Sequence, residues 1–250
     1  MDARLILDGS AEGAWNMAAD EVLLENARSG LTTLRFYSWS ELTLSLGYFQ
    51  PAAQRISKIA TVRRSTGGGA ILHGTDLTYS FTCPALSRTD PDPLTLYTLF
   101  HQALIQSLSK WGITGELCSG DDPNEHEFLC FRRREAGDVV AASKKIGGSA
   151  QRRQRGAVLL HGSVILRSAP LVPDVVGVLD LIEQCGAEFQ RTNALDATSF
   201  IPSLIDAWGT RIARALDLEW RPESWSELER KRIQELVVER FGNPVWIDRR

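Results

Sequence analysis

Three consecutive glycines, Gly67, Gly68 and Gly69, stand between two strand-like runs, residues 60–64 and 69–83. Such a triplet has no side chains to pack and costs backbone entropy, so core packing alone does not explain it. It does let backbone N–H groups approach a ligand closely, as anion-binding nests do. Arg63 and Arg64 precede the triplet and add positive charge. A wide hairpin turn is the plain structural alternative. A phosphate loop of the GxxxxGK[ST] form is excluded, because no Lys-Ser or Lys-Thr follows the glycines.

Around this triplet the chain reads as strands interleaved with helices. Residues 3–8, 31–38 and 42–49 have the apolar runs or two-residue alternation of strands. Residues 14–28 place Trp15, Ala18, Ala19, Val22 and Leu23 on one helical face, and residues 94–111 read as a long helix. A short helical stretch is expected near 51–58, a loop at 90–93 and an acidic loop at 118–130. Residues 137–167 read as three consecutive strands with tight turns at Gly147, Gly148 and Gly156. Helices are expected near 174–184, 199–215 and 223–240, the second carrying a stripe of Ile201, Leu204, Ile205, Trp208 and Ile212. This order predicts an α+β fold, a mixed β-sheet with helices packed on one side.

Composition narrows the class. The chain has 250 residues, 43% hydrophobic and 24% charged, which suits a single domain over residues 1–250 with its own core. Net charge is -3, which speaks against general nucleic-acid or membrane binding. No leader-like segment or spanning apolar run is visible, so a soluble, cytoplasmic protein is expected. The average hides a skew: only five of the 28 basic residues are lysines, and Lys144 and Lys145 are adjacent. The four cysteines form no CxxC pair and the four histidines no HxxxH pair, so no metal site is expected. A serine-hydrolase elbow of the GxSxG form is absent.

Other segments carry chemical candidates. Lys145 precedes Gly147, Gly148 and Ser149 within the strand run, where a solvated hairpin is the alternative. His161-Gly162-Ser163 closes an apolar strand, and His73-Gly74 does the same after the triplet; each histidine alone is more often structural. Cys130 lies between apolar neighbours, the setting of an inert core thiol. Arg132, Arg133 and Arg134 follow it, and nearby cations favour a reactive thiolate.

Together, Arg63-Arg64-Ser65-Thr66-Gly67-Gly68-Gly69-Ala70-Ile71-Leu72-His73, Leu77-Thr78-Tyr79-Ser80, Lys145-Ile146-Gly147-Gly148-Ser149-Ala150-Gln151 and His161-Gly162-Ser163 resemble one family. It is the biotin/lipoate protein ligase superfamily, in its lipoate-ligase and octanoyltransferase branch. The resemblance runs from about residue 5 to 167. It implies a catalytic domain like that of class II aminoacyl-tRNA synthetases, with the acyl group held beside the glycine loop. Cys130-Phe131 stands 15 residues before Lys145, as in LipM-type octanoyltransferases. Gly-Gly-Gly in the loop is instead the pattern of the ligases, and residues 132–138 depart from the transferases' Pro-Ser-x-Tyr-Glu stretch. The chain is also too short for a full ligase accessory domain.

The resemblance therefore implies one of two chemistries. The favoured one takes an octanoyl group from octanoyl-acyl carrier protein onto Cys130 and passes it to a lysine of a lipoyl domain or of glycine cleavage H protein, without a cofactor. The alternative is a lipoate-protein ligase A-like enzyme using ATP and Mg, with Lys145 and Arg64 holding an acyl-adenylate. A biotin ligase or a non-catalytic binding module ranks lower. In the transferase, Lys145 stabilises thiolate and oxyanion and relays a proton. Arg64 binds a carboxylate or phosphate, backbone N–H groups at Gly68-Gly69 or at Gly147-Gly148 supply the oxyanion hole, and Gly67, His73, Ser149, His161 and Gly162 line the site. Residues 132–155 carry eight basic against two acidic side chains, net +6, and the family's protein substrates are acidic. This stretch is expected to steer them.

Overall fold

A computed structural model describes residues 1–85, 93–120, 127–185 and 197–250. In chain order the elements are β1 (Asp2–Ala11), α1 (Gly13–Ala27), β2 (Thr33–Trp39), β3 (Thr43–Leu46), β4 (Ala60–Arg63), β5 (Ile71–His73) and β6 (Asp76–Pro84). Then follow α2 (Pro93–Leu108), β7 (Gly115–Leu117), β8 (Val139–Ala141), β9 (Lys144–Gln154) and β10 (Ala157–Ile165). The C-terminal part holds α3 (Val178–Cys185), α4 (Ala197–Leu216), β11 (Glu219–Pro222), α5 (Glu227–Leu236) and α6 (Pro244–Ile247). A π-turn, Val237–Phe241, extends α5.

The main sheet has eight strands in the order β11-β1-β2-β6-β10-β9-β8-β7. It is mixed, since β1 runs parallel to β2 and β11 while β2, β6, β10 and β9 pair antiparallel. Alternation along β2 shows how the faces divide. Leu34 and Phe36 join Phe100 of α2 and Trp208 of α4 in one core, whereas Tyr37 and Trp39 join Met17 and Leu23 of α1 and Ile233 of α5 in another. Helices therefore cover both faces, not one. The α4 stripe packs as its spacing predicts: Leu204, Trp208 and Ile212 are buried, and the Trp208 indole donates to the Phe100 carbonyl at 2.9 Å.

Several boundaries differ from the sequence reading. The turn between β8 and β9 is at Ala142 and Ser143, with φ of 46° and 59°, and Gly147 and Gly148 lie inside β9. Added Cβ atoms explain both glycines. At Gly147 one would meet Leu104 and Val139 at 3.3 Å, and at Gly148 it would meet Lys145 Cε at 2.8 Å. β10 continues through His161, Gly162 and Ser163 to Ile165, so this triad sits mid-strand. The run 69–83 divides at Gly74 (φ 130°) into β5 and β6, which belong to different sheets. The helical stretch near 51–58 reduces to a 3-10 turn, Ala52–Gln54. The short edge strands β7 and β11 carry too few residues for a periodic signal. α5 begins where Ser226 and Glu229 form a capping box, later than the spacing suggested. Residues 90–92 and 121–126, parts of the two expected loops, lie outside the described residues.

The second sheet, β4-β3-β5, positions the glycine triplet. β4 is parallel to β3 and β5 antiparallel to it, so residues 64–70 must cross the end of β3. Gly47 follows β3 there, and a Cβ on it would lie 2.0 Å from the Gly68 carbonyl oxygen. Only glycine permits that crossing.

Candidate active site

The glycine loop is tied from within. Arg64 is buried, and its Nη1 donates to the carbonyl and hydroxyl of Ser45 while Nη2 donates to the carbonyls of Gly67 and Gly69. Nη2 thus holds the loop, and Nη1 ties it to β3. Arg64 also reaches the cavity wall, and its buried Nε has no partner among the described residues. The loop in turn seats the Cys130 segment: Ala70 N–H donates to the Phe128 carbonyl at 3.0 Å, and Cys130 N–H to the Ala70 carbonyl at 2.7 Å. A Cβ on Gly69 would stand 3.1 Å from Cys130 Cα, so the close approach needs glycine.

Cys130 opens a 3-10 turn, Cys130–Arg132, with its sulfur half-buried. Lys145 Nζ donates to that sulfur at 3.2 Å and pairs with Asp138 Oδ2 at 2.6 Å. A one-residue register shift aims this lysine. Val139 faces Gly147 whereas Val140 faces Lys145, which leaves Ile146 as the extra residue. A bulge of this kind reverses the alternation, so Lys145 shares a face with Gly148. Burial works against the ammonium, but the Cys130 sulfur and the Asp138 carboxylate outweigh it and hold the Lys145 pKa above its ordinary value. These two partners favour the charged form of Lys145. A cation at this distance stabilises a thiolate.

Three histidines are buried nearby. His73 stacks on Trp39 at 3.9 Å between ring centroids and donates from Nδ1 to Asp76 at 2.8 Å. Its Nε2 accepts from the Ser45 hydroxyl at 2.8 Å. Burial pushes the His73 pKa down despite Asp76. His161 Nδ1 donates to Asp20 at 3.0 Å, and its Nε2 pairs with the Thr66 hydroxyl of the glycine loop at 2.6 Å. His101 donates from Nδ1 to the Gly137 carbonyl, which makes Nε2 the acceptor of the Ser149 hydroxyl at 2.6 Å. Burial lowers its pKa to about 4. Each imidazole has both nitrogens occupied by protein.

These groups surround one cavity that opens to solvent. Cys130, Lys145, Arg64 and Gly68 reach its wall, as do His73, Gly148, Ser149, His161 and Gly162. Met17, Tyr37, Trp39 and Ile71 supply apolar surface. Gly67, Gly69 and Gly147 lie off the wall. A Cβ on Gly162 would sit 2.4 Å from Ser149 Oγ, so this glycine keeps the strand thin at the cavity. Asp138, Tyr97 and His101 were not legible as site residues. Asp138 comes beside Gly148 only through the turn at 142–143 together with the bulge at Ile146.

The basic stretch 132–155 is not one face. Lys145 is buried, Arg132 pairs with Asp174 and Arg133 with Glu135, both at 2.9 Å, and Arg152 pairs with Glu21 on α1 at 2.8 Å. From Lys145 to Arg152 an extended strand spans roughly 23 Å.

This sheet, with a glycine loop crossing its smaller partner, is the fold of lipoate-protein ligases. A putative lipoate protein ligase from T. acidophilum with bound lipoic acid superposes with a TM-score of 0.76, covering 100% of both chains at 22% identity. Lipoate-protein ligase A bound with ATP gives 0.76 over 99% of both chains at 23% identity. The lipoyl protein ligase A/B catalytic domain profile matches residues 12–177, and the chain belongs to that family. Among its relatives, Octanoyltransferase LipM of Symbiobacterium thermophilum is 31% identical over 97% of each chain. The LipM of Carboxydothermus hydrogenoformans is 37% identical over 66% of this chain and 65% of its own. Among the described residues no helix is long and apolar enough to cross a membrane.

Proposed function

We propose that this protein is an octanoyltransferase, moving an octanoyl group from octanoyl-acyl carrier protein to the target lysine of a lipoyl domain or of glycine cleavage H protein. The observation that carries this reading is the 3.2 Å contact between Lys145 Nζ and Cys130 Sγ at the wall of the cavity. The LipM relatives point to the same chemistry. Residues 1–250 act as one catalytic domain, in the cytoplasm, without a cofactor.

The Cys130 thiolate attacks the carbonyl carbon of the donor thioester. The Lys145 ammonium and the Gly68 N–H stabilise the oxyanion. The bond from carbon to the carrier's sulfur breaks, and that thiolate leaves with the carrier, taking up a proton from solvent. The neutral amine of the acceptor lysine then attacks the Cys130 thioester. The bond to Cys130 Sγ breaks, the amine proton passes to solvent, and the thiolate returns to its place against Lys145. Tyr37, Trp39 and Ile71 offer apolar surface to the acyl chain. Lys145 also reaches a surface groove where Arg132, Arg134 and Lys144 outnumber Glu127 and Asp174, a route for the acidic protein partners.

The shared fold with lipoate-protein ligase A bound with ATP keeps a second reading, an ATP- and Mg-dependent ligase forming lipoyl-adenylate. Cys130 has no role in it. Intact mass after incubation with octanoyl-acyl carrier protein, without ATP, separates the two. An octanoyl adduct that disappears in Cys130→Ser is expected. No adduct, together with lipoate-driven exchange between ATP and pyrophosphate, overturns the transferase in favour of the ligase.

A further inference from the structure

Lys145 is one end of a chain of contacts that begins on α2. The Tyr97 hydroxyl donates to Asp138 Oδ1 at 2.8 Å. Gly137 packs against the same ring, where a Cβ would meet Tyr97 Cε1 at 2.8 Å. Asp138 Oδ2 accepts from the Glu135 N–H at 2.7 Å and from Lys145 Nζ at 2.6 Å. Both charged side chains are buried, with 3% and 2% of their surfaces exposed. A lysine stem has four rotatable bonds, and one contact to sulfur leaves its ammonium free to swing. The carboxylate supplies the second anchor, and it is itself immobilised from two other directions.

We infer that Asp138, braced by Tyr97, is the positioning residue that holds the Lys145 ammonium against the Cys130 sulfur. For acyl transfer this rests on the proposed function; for thiol reactivity it does not. The other charged or titratable groups facing the cluster are Arg64 of the glycine loop, Arg133 and Glu135 of the Cys130 segment, and His101 of α2. None of them bonds to Lys145 Nζ among the described contacts.

Positioning and bare charge predict opposite signs. Through space alone, a carboxylate disfavours a nearby thiolate, so its removal makes the thiolate form at lower pH. If Asp138 holds the lysine in place, its removal makes the thiolate form at higher pH. The test is the alkylation rate of Cys130 by iodoacetamide across pH, read on the Cys130 peptide by mass spectrometry. Asp138→Asn keeps the side chain's shape and is expected to move the midpoint up by about one unit, a tenfold slower reaction below it. Tyr97→Phe leaves the carboxylate in place and is expected to move it the same way by less. Octanoyl transfer by Asp138→Asn is expected to lose kcat with little change in KM for the donor. A midpoint that falls or stays put in both variants overturns the inference. Absence of octanoyl transfer in the unaltered protein, with the alkylation shifts intact, overturns the proposed function instead.

Discussion

Two buried polar clusters flank the same cavity, and they are built to opposite ends. Around His73 and His161, every ring nitrogen has a partner: Asp76 and Ser45 for one, Asp20 and Thr66 for the other. These contacts join α1, the small sheet and the glycine loop to the main sheet. The cluster of Cys130, Lys145 and Asp138 instead holds a cation against a half-buried sulfur. The first cluster is saturated and shapes the site. The second leaves Cys130 half-buried at the cavity wall with the Lys145 ammonium against its sulfur, and that sulfur is where chemistry can begin. Buried histidine beside aspartate is thus no guide to reactivity here; the guide is which heavy atom still faces the cavity.

The sharpest way to break this contrast is to remove the sulfur. Cys130→Ser is expected to lower octanoyl transfer by about 10³-fold or more while leaving the melting temperature nearly unchanged. His161→Ala reverses that pattern. It takes one partner from Thr66 and one from Asp20, which keeps Arg35 and Tyr37, and is expected to cost about 2 kcal/mol in denaturant unfolding. The alkylation midpoint of Cys130 should not move. A catalytic His161 would show the reverse, a shifted pH profile with little loss of stability.

Acidity probes a third histidine. The folded pKa of His101 is depressed to about 4, below the ordinary 6.5, so the unfolded chain binds the proton more tightly. Its contribution, about 3 kcal/mol, is fully present above pH 6.5 and is lost as pH falls toward 4. Unfolding at pH 7 and pH 4.5 should differ by most of that amount, and His101→Gln should flatten the difference. An equal pH dependence in the variant would remove His101 as the cause.

A smaller change tests the space around Lys145. Gly148→Ala puts a methyl against Lys145 Cε, and overpacking of this kind costs about 1–3 kcal/mol. It is also expected to slow Cys130 alkylation, which Gly147→Ala, directed toward Leu104 and Val139, is not. The smallest effect concerns partners. Because Arg132, Arg133 and Arg152 of the basic stretch are each paired with a carboxylate, raising salt to physiological strength should lower kcat/KM for the protein donor only about two- to fivefold. No change at all would remove electrostatic steering.

Much of the scaffold was legible where periodicity was long. The α4 stripe, the alternation in β2 and the helix at α1 all lie where spacing placed them, since burial of one face selects the period. The glycine segments marked the site for a reason only partly foreseen. They do approach other groups closely, but largely protein: the Gly68 carbonyl beside Gly47, and the Cys130 backbone beside Gly69. The turn at Ala142 and Ser143 was missed because both residues take positive φ without being glycine. That error displaced Asp138 from view.

By itself, the sequence determined the mixed α+β class, the family, and the 15-residue separation of Cys130 from Lys145, because periodicity and motif order are properties of the chain alone. Tertiary structure decided that this separation is a contact. A turn, a bulge at Ile146 and a glycine loop crossing β3 must all be in register before Lys145 meets the sulfur. Asp138 entered only at that point, since a carboxylate becomes a partner through packing against Tyr97 and the Glu135 N–H, and no spacing rule records that.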